Sequence, residues 1–420
     1  MKQKLIIWGF LFVTGLTTIH AQWLRVGKFN NMVNDMHVIY NQLYIAGNFD
    51  QYESSNCYFT SHWDDSVMTL VTDPLTGIGV RRLQNFQNLL YGTNALNFPF
   101  LKGLATYNMN TWNSEPGITT PQIGIYSNAN NLYVGSDAGQ LNVKGTTSPN
   151  YYLITDSIAG SINAITEYNG ALIVAGNFTT VKAKVHNHIV RISGNNYTSL
   201  SSGLDGNVSR LLVYNGNLYA CGNFINAGGS PAKFLAKWND NSWSQVGGGI
   251  VSAGTLGIMD MMVHNNALYI AGEFSKTGNS NAINIAKWND TSWTSFGYNK
   301  PGYISAVEAY KGMIYVASRS GDSAVLYKTA ISSGINRVHY DAIHANIFPN
   351  PATNEINISL NGDFDNLNYE IMDMEAKVIV TEAIHDNETT INMGFLKTGI
   401  YMIRIKGENR ADVIKKFVVL

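Results

Sequence analysis

One pattern of apolar and small residues keeps returning along this chain. It is fullest at Asn217-Leu218-Tyr219-Ala220-Cys221-Gly222-Asn223-Phe224 and recurs as Leu43-Tyr44-Ile45-Ala46-Gly47-Asn48-Phe49, Leu172-Ile173-Val174-Ala175-Gly176-Asn177-Phe178 and Leu268-Tyr269-Ile270-Ala271-Gly272-Glu273-Phe274. Weaker copies are Leu89-Leu90-Tyr91-Gly92, Leu132-Tyr133-Val134-Gly135 and Ile314-Tyr315-Val316-Ala317-Ser318. The anchors Gly47, Gly92, Gly135, Gly176, Gly222, Gly272 and Ser318 stand 41 to 50 residues apart. A period of that length marks a repeat architecture whose unit is one small sheet.

The unit from Val208 to Gly249 predicts four strands: Val208 to Tyr214, Leu218 to Phe224, Phe234 to Trp238 and Trp243 to Val246. Asn215-Gly216 between the first two supplies the positive φ angles of a tight hairpin turn. The next copy keeps the order, and Ile285-Ala286-Lys287-Trp288-Asn289-Asp290 echoes Leu235-Ala236-Lys237-Trp238-Asn239-Asp240. Four antiparallel strands per unit describe the blade of a β-propeller. One blade cannot bury both faces alone, and neighbours around an axis do it for each other. The Gly of the second strand is expected to let adjacent backbones approach closely. The paired Trp residues are expected to pack between blades.

Seven anchors imply an all-β, seven-bladed propeller, with six and eight as open counts because the units between Asp73 and Gly160 lack the full Trp pair. The last copy has three strands. Trp23-Leu24-Arg25-Val26-Gly27 matches Trp243-Ser244-Gln245-Val246-Gly247, so the N-terminus is expected to supply the missing outer strand and close the ring. These units resemble kelch repeats over roughly Trp23 to Ile335, with one Gly in the second strand where kelch has a pair. The resemblance implies the fold and no particular partner.

After Gly334 the repeat stops. Residues 335–345 are expected to be a linker, and 346–420 alternate as short strands, which argues for a small C-terminal β-sandwich. This segment resembles the C-terminal sorting domain of the type IX secretion system of Bacteroidetes. The features that carry the resemblance are Pro349, Asn350 and Pro351 at its start, Gly399 and Tyr401 within Leu396-Lys397-Thr398-Gly399-Ile400-Tyr401, and Lys415 and Lys416 near its end. The resemblance implies recognition by the type IX translocon, removal by a sortase-like peptidase, and a protein that is secreted or attached to the outer-membrane surface. Met374-Glu375-Ala376-Lys377 departs from the family, which has a Gly before the Lys.

Composition narrows the function classes. Of 420 residues only 14% are charged, and the net charge is −1, so no basic excess favours nucleic acid. Gly at 39 residues and aromatics at 11% suit short strands and tight turns. Lys2, Lys4 and the apolar run Leu5 to Leu16 predict a signal peptide over residues 1–21, giving 22–334 to the propeller. No other stretch is apolar enough for a transmembrane anchor. Cys57 and Cys221 are expected to be small buried hydrophobes, since Cys221 stands where other copies have Ala.

The sequence carries no evident catalytic set, metal site or cofactor motif. His186 and His188 alternate on an expected strand and lack a third ligand. His339, Asp341 and His344 fall in the linker, and Asp64-Asp65 occupies a strand turn. Binding surfaces are expected in the longer loops, Asp50 to Asn56, Thr93 to Leu101, Asp137 to Asn150 and Ile225 to Ala232, where Tyr52, Phe98 and Phe100 offer flat apolar faces. The chain therefore reads as an exported binding or adhesion module for a glycan or surface protein. The alternative is a polysaccharide hydrolase or lyase with carboxylates gathered near the axis, and a third option is a structural spacer.

Overall fold

The structure, a computed structural model, describes residues 23–70, 79–97, 102–107, 112–118, 120–331, 344–361, 367–373, 377–384, 386, 388–407 and 413–420. The expected signal peptide, Phe98, Phe100, most of the expected linker and Met374 to Ala376 lie outside them. The chain divides into two compact units, one up to Ile331 and one from Ser332 onward.

The first unit is entirely β. Its inner strands are Val33–Ile39, Val80–Phe86, Gln122–Ser127, Ile158–Tyr168, Asn207–Tyr214, Ile250–His264 and Tyr303–Tyr310, and each opens an antiparallel sheet built on a path of four strands. These sheets are numbered one to seven below. Each inner strand lies beside the next, and the seventh lies beside the first, so the series closes. The fourth strand of the seventh sheet is Leu24–Phe29, paired with Ser323–Ala330 from the other end of the unit. A two-residue ribbon, Gln51–Tyr52 with Ser55–Asn56, extends that sheet.

A β-bulge recurs in all seven inner strands, at Asn34, Arg81, Ile123, Asn163, Ser209, Met259 and Ser305. It explains the repeated Gly. A Cβ on Gly222 would sit 2.1 Å from the carbonyl oxygen of Asn207 in its own sheet. The close approach of adjacent backbones expected from the sequence is therefore made to the bulged inner strand of the same sheet. The register also corrects two anchors. Asn94 and Ser136, not Gly92 and Gly135, face the bulges of sheets two and three as Gly47 and Gly222 do in theirs.

A second backbone device is invisible in composition. Phe59, His188, Phe234 and Asn284 all have φ between 59° and 66°. Each donates its N–H to Phe49, Phe178, Phe224 or Phe274 and accepts from Gly47, Gly176, Gly222 or Gly272. His188 is thus a loop residue before the third strand, not half of an alternating strand pair with His186. Leu141–Gly145 is likewise the third strand of sheet three, inside the segment expected to be a loop.

Side chains staple each sheet to the next. Tyr168, Tyr214 and Tyr310 end inner strands and donate to the hairpin carbonyls of Gly216, Asn266 and Asn41 in the following sheet. Trp243 Nε1 donates to Leu200 O at 2.9 Å, beyond the outer strand of sheet four. Trp23 Nε1 makes the same bond to Phe296 O at 3.1 Å, beyond the outer strand of sheet six. Cys57 and Cys221 are buried and unpaired, each within an apolar cluster.

The second unit has two sheets. His344–Phe348, Glu355–Asn361 and Glu388–Asn392 form one, and Val378–Ile384, Leu367–Met372, Gly399–Gly407 and Val413–Val419 form the other. One core, including Ile356, Ile358, Ile371, Ile403 and Phe417, joins them.

Candidate functional site

The bulge gives every inner strand one matched residue just past it: Asp35, Arg82, Gly124, Ala164, Arg210, Asp260 and Ala306. Side chains alternate along a strand, so the residues two further on share their face: His37, Gln84, Tyr126, Thr166, Leu212, Met262 and Glu308. Most of these residues line a cavity of about 220 Å³ to which all seven inner strands contribute, placing it on the axis of the ring.

Arg210 dominates its chemistry. Nη2 donates to Asp35 Oδ1 at 2.6 Å, and Nε donates to Asp260 Oδ1 at 2.8 Å. Backbone amides donate to the same two carboxylates. Leu83 N donates to Asp35 Oδ2 at 2.7 Å, Val307 N to Asp260 Oδ2 at 2.9 Å, and Met261 N to Asp260 Oδ1 at 2.9 Å. One guanidinium and two carboxylates thus tie sheets five, six, seven, one and two together. Sheets three and four have Gly124 and Ala164 at the matched position, and neither adds a charge to the cluster.

The other titratable groups are not neutralised in this way. Among the described residues Arg82 reaches only the carbonyls of Asn34, at 3.4 Å, and Arg81, at 3.3 Å. Burial, then the like charge of Arg210, lowers its pKa to about 10. Burial opposes charge on Arg210 too, but Asp260 and Asp35 more than offset it and its pKa is raised. Burial raises Asp260 against the pull of Arg210. Burial also pushes Glu308 up to about 8, and only the Ala309 N–H contacts its carboxyl, at Oε1. His37 is lowered by burial, opposed by Asp35, which favours the neutral imidazole near pH 7. Gln84, which also lines the cavity, spends its Nε2 on Ser127 Oγ at 3.0 Å. No group of three or more His, Cys, Asp or Glu side chains among the described residues could hold a metal ion.

The residues singled out from sequence lie elsewhere. Tyr52 is half-buried, packs on Phe29 with ring centroids 5.0 Å apart, and donates its hydroxyl to Val26 O at 3.2 Å. Its ring also covers Gly27, so it seals the closing sheet and offers little open face. His186 Nδ1 lies 2.8 Å from Ser199 Oγ, and His188 Nδ1 lies 3.1 Å from Gly176 O. Asp64 Oδ1 accepts from Ser66 N and Val67 N, and Asp65 has φ 86°, so turn chemistry accounts for both positions.

The sorting-segment residues do come together. Asn350, between Pro349 and Pro351, donates Nδ2 to Lys416 O at 3.2 Å and accepts from Val418 N at 3.0 Å. Its side chain therefore sews the start of the segment to its last strand. Lys415 and Lys416 are exposed on that strand, which is an edge of its sheet. Tyr401 packs on Phe417 and donates to Lys397 O at 2.9 Å, and Gly399 opens the strand that carries it.

Residues 346–420 match the secretion system C-terminal sorting domain. That domain directs the protein through the type IX secretion system to the medium or the cell surface. No helix among the described residues is long and apolar enough to cross a membrane. No curated protein matches the sequence at a significant level. Among solved structures, the chain resembles the extracellular domain of a protein of B. thetaiotaomicron named a one-component system. The TM-score is 0.54 and the identity 14%, over 93% of this chain and 57% of that one. The extracellular domain of a hybrid two-component system from the same organism gives 0.50 and 11%, over 93% and 55%. This chain spans little more than half the length of either. The WD40 β-propeller domain of Doa1 gives 0.50 and 11%, over 75% of this chain and 98% of that one. At these identities the likeness concerns the fold alone, and the fold is a β-propeller.

The sequence reading missed the axial cluster because it searched the loops. The signal was present in the repeat itself: in four of seven copies, the inner strand places Asp or Arg two residues after its valine or isoleucine.

Proposed function

We propose that the protein is an exported binding module. It is a seven-bladed, kelch-like propeller followed by a β-sandwich sorting domain, joined by the segment around residues 335–345. Its ligand seat is the axial cavity, and the partner is a glycan or a surface protein that offers one small group to it. The observation that carries this reading is the convergence of Arg82, His37, Gln84 and Glu308 on one cavity of about 220 Å³ in a ring held rigid by the Arg210 clamp. A few polar groups converging on a preformed concavity are the usual make-up of a ligand site. The volume suits one sugar ring or amino acid, not a length of polymer.

The hydrolase alternative is less well supported. Of the three axial carboxyl groups, Asp35 and Asp260 are engaged by Arg210 and backbone amides, which leaves Glu308 as a single carboxyl where glycoside hydrolysis uses a pair. Hydrogen exchange on the exported chain, with and without a panel of glycans and surface extracts, tests the binding reading. Protection centred on the inner strands supports it. Protection confined to the outer strands, or none, refutes it. In the parent bacterium, deleting residues 346–420 should keep the protein inside the cell.

A further inference from the structure

Arg82 stands out among the axial groups. Arg210, three sheets further round the ring, holds two carboxylates at 2.6 and 2.8 Å. Arg82 is the matched residue of sheet two, yet it forms no ion pair among the described residues, and its two hydrogen bonds to backbone carbonyls are 3.3 and 3.4 Å long. Asp35 and Asp260 favour its charge, but their hydrogen bonds come from Arg210 and backbone amides and none from Arg82. A half-buried guanidinium without a counter-ion is costly, and a planar fork of donors matches a carboxylate better than a single charge. Ala164, the matched residue of sheet four, lines the cavity with only a methyl group and supplies no anion, while Gly124 of sheet three packs against the backbone of sheet four, where a Cβ would lie 2.9 Å from Ile162 O.

The rest of the lining is suited to hydroxyl groups. His37 makes no hydrogen bond among the described residues, so its imidazole retains a donor and an acceptor. Gln84 keeps Oε1 as an acceptor. Glu308 uses Oε1 for the Ala309 N–H and leaves Oε2 unengaged. From these groups we infer that the cavity binds a carboxylate carried on a small hydroxylated body, the chemistry of a uronic acid unit, with Arg82 gripping the carboxylate and His37, Gln84 and Glu308 meeting the hydroxyls. This rests on the axial-seat reading and adds the class of ligand.

Proton linkage provides an independent readout. Glu308 faces Asp35 and His37 from sheet one, Arg82 from sheet two, Arg210 from sheet five and Asp260 from sheet six. A bound carboxylate adds negative charge to this set and favours the protonated form of Glu308. Affinity should therefore fall as pH rises past about 8, where Glu308 ionises in the free protein.

The test is calorimetric titration of the exported chain with glucuronate, glucose and N-acetylglycine at pH 7 and pH 9. The chains compared are the natural one, Arg82→Gln, Arg82→Lys and Glu308→Gln, each first checked for a single cooperative melting transition above the titration temperature. Glucuronate should bind at pH 7, with glucose and N-acetylglycine at least roughly tenfold weaker. Arg82→Gln should cost glucuronate at least about tenfold, and Arg82→Lys, which keeps charge without the fork, should cost less. The loss between pH 7 and 9 should vanish in Glu308→Gln. Glucose binding as tightly as glucuronate, or binding indifferent to Arg82→Gln, overturns the carboxylate assignment while leaving the axial seat standing. N-acetylglycine binding as tightly as glucuronate overturns the sugar body. Absence of binding by all three, with the fold intact, overturns the inference. Glycan protection mapping to the outer strands overturns the axial seat as well.

Discussion

Arg210 Nη2 donates to Asp35 Oδ1 at 2.6 Å across 175 residues of sequence, joining sheets five and one, which two other sheets separate in the ring. A second arm of the same guanidinium holds Asp260 in sheet six. The ring is therefore braced through its axis as well as around its circumference.

Removing the brace leaves two buried carboxylates without their cation. Arg210→Met should lower stability by about 3–5 kcal/mol, the usual cost of orphaning a buried charge pair. Combining it with Asp35→Asn and Asp260→Asn should recover part of that loss. Denaturant unfolding of the three chains checks both statements. A loss under about 1 kcal/mol for the single variant would show that water, not Arg210, compensates the carboxylates.

Glu308 gives the fold a pH dependence of known sign. Its folded pKa of about 8 lies above the ordinary 4.5, so the folded chain holds a proton that the unfolded chain has released between those values. Stability then falls as pH rises through that window, and the full penalty is present above about 8. Glu308→Gln should be more stable than the natural chain at pH 9, with the difference fading toward pH 4. Thermal melts at a series of pH values read this directly. A constant difference across the series would count against the assignment.

Two glycines separate backbone clash from backbone conformation. Gly222→Ala drives a methyl to within 2.1 Å of Asn207 O and should cost about 1–3 kcal/mol through forced displacement of the inner strand. Gly216 has φ 69° with nothing within 4 Å, so Gly216→Ala should cost about 1 kcal/mol from conformation alone. Gly216→Asn should be close to neutral, because Asn41, Asn88 and Asn266 hold the matching turn position with φ of 54° to 58°. Chemical unfolding of the three variants ranks them, and equal losses at positions 222 and 216 would contradict the clash.

The N-terminal strand closes the ring. Trp23 is buried against Phe296 and Tyr298, with centroids 6.4 and 5.1 Å away, and its indole bonds to Phe296 O. Trp23→Ala should cost about 3–5 kcal/mol. Deleting residues 23–29 should expose the edge of Ser323–Ala330 and promote aggregation. Unfolding curves and light scattering measure the two effects, and a deletion that stays free of aggregate with an unchanged transition would show the closure to be dispensable.

What the chain declares about itself is local and periodic. The Leu-Tyr-Ile-Ala-Gly strand and the turn at Asn215-Gly216 each carry their own reason in a few adjacent residues, so they were legible without coordinates. So was the match between Trp23 and Trp243, whose indoles make the same bond one sheet back. The address at 346–420 was legible too, because Asn350 and the final strand are fixed by short motifs even though they meet only after folding. Tertiary structure decided the rest. A bulge is an offset between two strands, and no single strand records it, which is why Gly92 stood in for Asn94 and Gly135 for Ser136. Asp35, Arg82, Arg210 and Asp260 are ordinary polar residues along the chain. Only closure of the ring brings them to one axis, where burial and mutual charge give Arg210 its two partners and leave Arg82 without one.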